Sequence, residues 1–270
     1  MALTVFNQAP LALFALSLPL ILALAVGMYL LFELGSWMGR SHLKSGKGLV
    51  QETLGVIDGP IFALFGLLIA FTFSSALNRF DDRRKLIVEE ANDIGTAYLR
   101  LDLLPEKERQ SLQRLFRDYV DSRIRTYRLI PDMKAVVAEY QHTQDLQSEI
   151  WRQATTGVAK SPNTLAGMQL IPALNAMIDI TNTRTATMQF HPPLIIFAML
   201  MVMSLITAVL VGYQMASLEK RSWLHVALFI VTISLTCYVI LDIEYPRIGL
   251  IRVDAADLIL KDVREGMDPK

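Results

Sequence analysis

Residues 54–77 read LGVIDGPIFALFGLLIAFTFSSAL, and Asp58 is the only charged side chain in this run. A helix rises about 1.5 Å per residue, so this run is long enough to cross a hydrocarbon core about 30 Å thick. It therefore predicts a transmembrane helix. Three further apolar blocks lie on either side of it, at residues 11–32, 192–211 and 223–241.

The spacing of these blocks predicts an all-α integral membrane protein. Short links at 33–53 and 212–222 join the four transmembrane helices into two hairpins. The resulting plan is residues 1–53 for the first membrane helix and a short link, 54–77 for the second membrane helix, 78–191 for a helical extramembrane domain, 192–241 for the third and fourth membrane helices, and 242–270 for a C-terminal tail.

The middle segment has helical periodicity. Its first apolar stripe recurs at steps of three and four residues from Ile87 to Leu101, and Pro105 closes it. A second helix follows up to Pro131, and a third is expected from Asp132 to about residue 153. A fourth is expected from about residue 164 towards 189, with a kink at Pro172. The second membrane helix has no strong breaker at its end and is expected to continue into this domain.

The composition argues against several classes of function. Lys and Arg together number 26, as do Asp and Glu, so no basic excess suggests nucleic acid. The single cysteine and four scattered histidines do not predict a metal site. No phosphate loop or nucleophile motif is present. We therefore expect no catalytic residues, no metal, no cofactor and no enzyme activity.

The positive charges that bear on orientation are divided almost equally between the two sides of the membrane. Five Lys and Arg residues lie on the hairpin side and seven lie near the membrane on the domain side, which favours a cytoplasmic domain. The uncharged N-terminal segment argues the other way. The expected location is the bacterial inner membrane, as a multi-pass protein with the domain in the cytoplasm. The five hairpin-side cations are Arg40, Lys44, Lys47, Lys220 and Arg221.

One face of the second membrane helix carries only small residues. They recur at steps of four, three, four and four: Gly59, Ala63, Gly66, Ala70 and Ser74. Small side chains let another helix backbone approach closely in a membrane. We call this set the small-residue face and predict that it packs against another helix.

Two apolar rows flank the small-residue face. One holds Phe62, Phe65, Ile69 and Phe73, and the other holds Pro60, Leu64, Leu67 and Phe71. One interpretation is that one row faces lipid while the other packs within the subunit. The alternative is that one row, repeated around a symmetric oligomer, forms a hydrophobic constriction that gates ions by dewetting. The row from Phe62 to Phe73 is the pore-lining candidate.

Charged residues near the ends of this helix also have two interpretations. Asp58 suits the N-cap of a helix, with Pro60 in the first turn, or a charge at the mouth of an ion path. The run from Asp81 to Lys85 fits a solvated helix face or a charged ring at a pore mouth. The pore-mouth candidates are therefore Asp58, Arg79 and Arg83.

Several motifs resemble the bacterial bestrophin-like membrane protein family. The matching stretches are GLLIAFTFS at 66–74, RFD at 79–81, EEANDIGTAYLR at 89–100, PALN at 172–175, HPP at 191–193 and LDIEYPR at 241–247. Asp179, Arg184 and Gly249 also match. These pieces run from the second membrane helix to the tail.

The resemblance extends distantly to bestrophins, which are pentameric anion channels with a cytosolic region between the second and third membrane helices. In that family the second helix lines the pore, which makes the Phe62 row the neck candidate here. Pro246 and Gly249 match the turn that precedes the bestrophin calcium clasp. The acidic run of the clasp is absent, which argues against calcium gating.

The expected function is a homo-oligomeric membrane channel in the lipid bilayer that passively conducts small anions such as chloride. The alternative is a non-conducting membrane scaffold or signalling partner that acts through the helical domain. Subunit number distinguishes the two, since a ring of four or more copies favours the channel.

Overall fold

A computed structural model describes residues 17–44, 51–163, 165–218 and 222–268, with side chains left undescribed at 51–55 and 255. The first residues of the predicted first span (11–16) and the cations Lys47, Lys220 and Arg221 lie outside this part of the chain. The described residues form two compact units. The membrane unit takes its described residues from 17–78 and 192–245. The helical unit takes them from 79–191 and 246–268.

All the regular structure in the described residues is helical. The α-helices are α1 (Ser17–Lys44), α2 (Gln51–Arg100), α3 (Glu106–Arg128), α4 (Met133–Lys160), α5 (Leu165–Thr187), α6 (Leu194–Gln214), α7 (Trp223–Glu244) and α8 (Asp254–Glu265). Short 3-10 turns at Leu101–Leu103 and Met215–Ser217 follow α2 and α6.

Four of these helices are long and apolar enough to span a membrane: α1, α2, α6 and α7. This confirms the predicted number of membrane helices. It also confirms the prediction that the second span continues as one helix, since α2 runs without interruption to Arg100. The pairing of the four spans into two hairpins remains a prediction.

Glycines bring α1 and α6 into close contact within the membrane unit. A Cβ atom added at Gly39 would lie 2.7 Å from the Tyr213 carbonyl oxygen. At Gly212 an added Cβ would overlap the Phe32 backbone. Ser36 Oγ donates a hydrogen bond to the Gly212 carbonyl across the same contact at 2.9 Å. Because lipid is as apolar as these side chains, such close backbone packing is what holds membrane helices together.

The helical unit is built around one apolar core. Large buried side chains from α2, α3, α4 and α5 meet there, including Ile94, Phe116, Ile150 and Leu174. The helix α4 extends to Lys160, beyond the predicted end near residue 153. Gly157 lies inside it, where an added Cβ would come within 3.3 Å of Leu104. The missing side chain therefore provides space for packing instead of ending the helix.

Helix ends in this unit follow local chemistry. The side chain of Asp132 accepts hydrogen bonds from the backbone N–H groups of Lys134 and Ala135, which caps α4. Glu106 lies in the first turn of α3 and Arg128 in its last, so both charges complement the helix dipole. Pro172 lies inside α5 and does not end it.

The C-terminal segment packs onto the helical unit. Leu260 and Met267 are buried in its apolar core. The hydroxyl of Tyr98 and the guanidinium of Arg117 both donate to the Met267 carbonyl, each at 3.1 Å. Residues 246–268, predicted as a tail, therefore form an integral part of this unit.

Candidate functional site

The membrane-spanning part of α2 uses one narrow face to pack within its own chain. Among residues 56–78 only four side chains are buried: Asp58, Phe65, Thr72 and Ala76. Their spacing of seven, seven and four places them along one side of the helix. Most of the remaining circumference of α2 is open.

The small-residue face lies on the open side of α2. All five of its members, Gly59, Ala63, Gly66, Ala70 and Ser74, are exposed in the single chain. A Cβ atom added at Gly59 or Gly66 would meet nothing within 4 Å. The described part of the chain therefore supplies no helix that packs against these glycines. The close packing that small residues permit is found instead between α1 and α6.

The two apolar rows of α2 differ in exposure. In the predicted pore-lining row, Phe62 and Ile69 are half-buried, Phe73 is exposed and Phe65 is only 4% exposed. The opposite row from Pro60 to Phe71 is exposed throughout. The narrow packing face thus overlaps the predicted row at Phe65 and leaves its other three members accessible.

Asp58 lies inside α2, well past the start of the helix at Gln51, so it is not the N-cap considered from the sequence. It is 7% exposed, and its carboxylate accepts a hydrogen bond from the Gln214 side chain of α6. Asp58 therefore joins α2 to α6 within the membrane unit. Its other predicted role, at the mouth of an ion path, stays a prediction.

The two cationic pore-mouth candidates occupy different environments. Arg79 is half-buried. Arg83 is 8% exposed and donates to the Phe190 carbonyl at 3.2 Å, a contact within the helical unit. Arg84 and Lys85, which follow it on α2, are exposed.

A buried ion cluster lies in the helical unit, and sequence reasoning missed it. The carboxylate of Glu90 on α2 accepts from Arg123 Nε at 2.5 Å and also from Arg184 on α5. Glu90 and Arg123 have no exposed surface, and Arg184 is 4% exposed. Three helices are thus joined through one carboxylate.

The ring of Tyr127 lies at the centre of the same cluster. The guanidinium carbon of Arg184 lies 4.0 Å from the ring centroid, that of Arg247 4.8 Å and that of Arg123 5.1 Å. Cations over an aromatic face are attracted by the ring quadrupole. Asp257 of α8 pairs with Arg247 through both carboxylate oxygens and so brings the C-terminal segment into the cluster.

Burial and neighbouring charges shift the pKa values of two ionisable side chains in this core. Burial alone would lower the pKa of Arg123, but the Glu90 carboxylate outweighs it and raises that pKa well above its usual range. Burial raises the pKa of the nearby Tyr119 hydroxyl to about 12. Arg123 therefore stays cationic and Tyr119 neutral at physiological pH. Arg123 Nη1 is buried with no hydrogen-bond partner among the described residues.

The sequence offered little signal for this cluster. Glu90 and Arg184 stand among many other charges on amphipathic helices, and such charges usually face water. Among the residues that the structure describes, no three His, Cys, Asp or Glu side chains come together closely enough to hold a metal ion. The cluster is structural in its contacts, whereas the open side of α2 is available to ligands or other copies.

The fold and these helices define a multi-pass, all-helical membrane protein. The chain belongs to the Bestrophin-like family, since the family model described as the Bestrophin-like domain matches residues 15–258. The predicted family membership is therefore confirmed.

One solved structure has a similar fold. It is a bacterial bestrophin homolog from Klebsiella pneumoniae that carries a single tyrosine-to-alanine mutation. The match covers 92% of this chain and 98% of the other, with a TM-score of 0.60 and 14% sequence identity. No curated protein matches the chain.

Proposed function

We propose that this protein is a homo-oligomeric channel that passively conducts small anions such as chloride, with α2 of each copy lining the pathway. One observation carries the proposal. Only 17% of the apolar window of α2 is buried within the chain, against 28% for α1 and α6 and 44% for α7. A membrane helix that the described residues of its own chain leave so open finds its contacts in lipid or in other copies.

The small-residue face favours other copies over lipid. Small residues in membrane helices permit close backbone approach, and a lipid chain does not need this. Nothing in the described part of the chain lies near Gly59 or Gly66 on this face. We therefore assign the face to contact between neighbouring copies around a central axis.

Beside that contact, the apolar row of α2 would border the pathway. Because Phe65 is buried, the pore-lining proposal rests on Phe62, Ile69 and Phe73. A ring of such side chains excludes water when it is narrow and so acts as a gate. Arg79, near the end of the apolar segment of α2, would attract anions to the mouth.

Anion conduction is supported by the family. Bestrophins, which the chain resembles, are anion channels with the same order of spans.

The excess of cations on the domain side supports a bacterial inner membrane location with the helical unit in the cytoplasm.

Reconstitution in liposomes tests the proposal directly. We expect vesicles that contain the purified protein to release chloride faster than empty vesicles do. Phe73→Ala should widen the constriction and raise the flux. Leu228→Ala is the matched control, because Leu228 is a 55% exposed apolar side chain on α7, a helix that is not assigned to the pathway. The control should conduct like the unmodified protein.

Two results would overturn the proposal. One is a flux no greater than that of empty vesicles, with insertion verified by protease protection. The other is a monomer or dimer by mass in detergent and in lipid nanodiscs, which would favour a scaffold that acts through the helical unit.

A further inference from the structure

A cavity of about 540 Å³ lies in the helical unit. It is lined by residues 80–88 of α2 and by residues 252–259 of the C-terminal segment. Phe80 and Val88 of α2 line one side. Val253 and Ile259 line the other. Its walls are thus largely apolar, as is common in cavities that bind small molecules.

Three cations border this apolar cavity. They are Arg84 and Lys85 on α2 and Arg252 in the C-terminal segment. One acid, Asp81, shares the lining, so cations outnumber acids among the residues that line the cavity. A cavity that combines apolar walls with cationic side chains matches a molecule with an apolar body and an anionic head.

The three cations of the cavity can exchange their present carboxylate partners for another anion. Arg84 pairs with Asp81 at 3.5 Å, Lys85 with Asp82 at 3.1 Å and Arg252 with Asp254 at 2.6 Å. All these pairs are solvent-exposed, and exposed pairs contribute little to stability. Arginine and phosphate form stronger, two-pronged hydrogen bonds. A phosphate can therefore replace these carboxylates as the partner of the cations.

The position of the cavity along α2 points to the membrane surface. Its α2 residues begin at Phe80, just after the predicted span ends at Leu77, on one continuous helix. At about 1.5 Å per residue, Arg84 lies roughly 10 Å beyond that end. The headgroup layer on each side of a bilayer is about 5–8 Å thick, so the long Arg84 side chain starts near its outer edge and can reach into it.

We propose that this cavity binds the phosphate headgroup of an anionic membrane lipid, with Arg84, Lys85 and Arg252 on the phosphate and the lipid's apolar part against Phe80 and Ile259. The site uses none of the residues assigned to the proposed ion pathway. Its occupancy does not depend on whether the protein conducts.

Native mass spectrometry of the full-length protein tests this site. The protein is titrated with phosphatidylglycerol or with phosphatidylcholine that has the same acyl chains, and the lipid retained per subunit is measured. We expect phosphatidylglycerol to be retained preferentially. Each cation lost near a membrane surface weakens binding of an anionic lipid about fivefold. The double variant Arg84→Gln/Arg252→Gln should therefore lower affinity roughly 25-fold.

A second variant alters volume without altering charge. Ala256→Trp places an indole in the cavity and should also abolish the lipid preference. The matched controls are Arg152→Gln and Ala138→Trp, both at exposed positions of α4 away from the cavity. Both controls should retain phosphatidylglycerol like the unmodified protein.

Three results would overturn the proposal. In the first, both cavity variants retain phosphatidylglycerol as their controls do. In the second, inorganic phosphate displaces the bound anion while the two lipids bind equally, which would indicate a site for free phosphate. In the third, a cross-linker at residue 256 captures a neighbouring subunit instead of lipid.

Discussion

Replacing Glu90 by Gln should destabilise the helical unit severely. The Glu90 carboxylate is fully buried and accepts from Arg123 at 2.5 Å and from Arg184. The amide keeps the size of the side chain but removes its charge. Three guanidiniums would then surround Tyr127 without the carboxylate that now joins two of them.

The magnitude follows from the burial of the pair. Removing one partner of a buried ion pair costs about 3–5 kcal/mol, because the remaining charge stays in a medium of low dielectric constant. In a unit of this size each kcal/mol lowers the unfolding temperature by about 2–4 °C. We therefore expect the midpoint to fall by roughly 6–20 °C.

Tryptophan fluorescence provides a unit-specific assay. Trp151 is the only tryptophan in residues 79–191 and 246–270. In a background with Trp37→Phe and Trp223→Phe, emission during heating in detergent therefore reports on the helical unit alone. Glu89→Gln is the control, since Glu89 is the exposed neighbour of Glu90.

A clear result would refute this reasoning. If Glu90→Gln unfolds within about 2 °C of Glu89→Gln, the buried carboxylate contributes no more than a surface acid. Adding Arg184→Gln to Glu90→Gln provides an independent check. Because it removes one of the uncompensated charges, the double variant should be more stable than the sum of the single effects implies.

Three further predictions concern other contacts. Gly212→Ala should lower the unfolding temperature of the membrane unit, because overpacking costs about 1–3 kcal/mol. Gly66→Ala meets no described atom of its own chain and keeps the small-residue face small, so it should lower that temperature less. Equal midpoints on heating in detergent would contradict this. Gly66→Leu should leave the fold intact and break the oligomer, as measured by mass in detergent, and a wild-type assembly would show that the small-residue face is assigned wrongly. Tyr127→Leu should lower the free energy of unfolding by about 1–3 kcal/mol, because the cation–π contacts are lost. Tyr127→Phe should lower it by about 1–2 kcal/mol, because the hydrogen bond with Arg123 is lost. Thermal unfolding measures both effects, and a Phe variant less stable than the Leu variant would argue against the ring contacts.

The membrane helices could be predicted from the sequence because their signal is local. A long apolar run such as 54–77 has few alternatives to a span, whatever it packs against. The continuation of α2 was equally predictable, since no proline interrupts the helix between Pro60 and Arg100. Family membership also followed from short motifs spread along the chain.

Contacts between distant residues could not be predicted in this way. Gly35 and Gly39 on α1 pack against α6, which lies far along the chain, and nothing near either glycine in the sequence indicates its partner. The same holds for Glu90 and Arg184, which resemble ordinary surface charges on amphipathic helices. For α2, the sequence identified the small-residue face, but only the structure showed that the described residues of the same chain leave that face open.

Asp257 has a consequence for biosynthesis. Ribosomes make Glu90, Arg123 and Arg184 well before Asp257, which pairs with Arg247 beside the same tyrosine. Two hydrophobic segments must enter the bilayer in between. A nascent chain that ends before Asp257 would place Arg247 beside Tyr127 without its carboxylate partner, whereas Arg123 and Arg184 would already be paired with Glu90. The ion cluster is therefore completed only after both later membrane helices, α6 and α7, have been made.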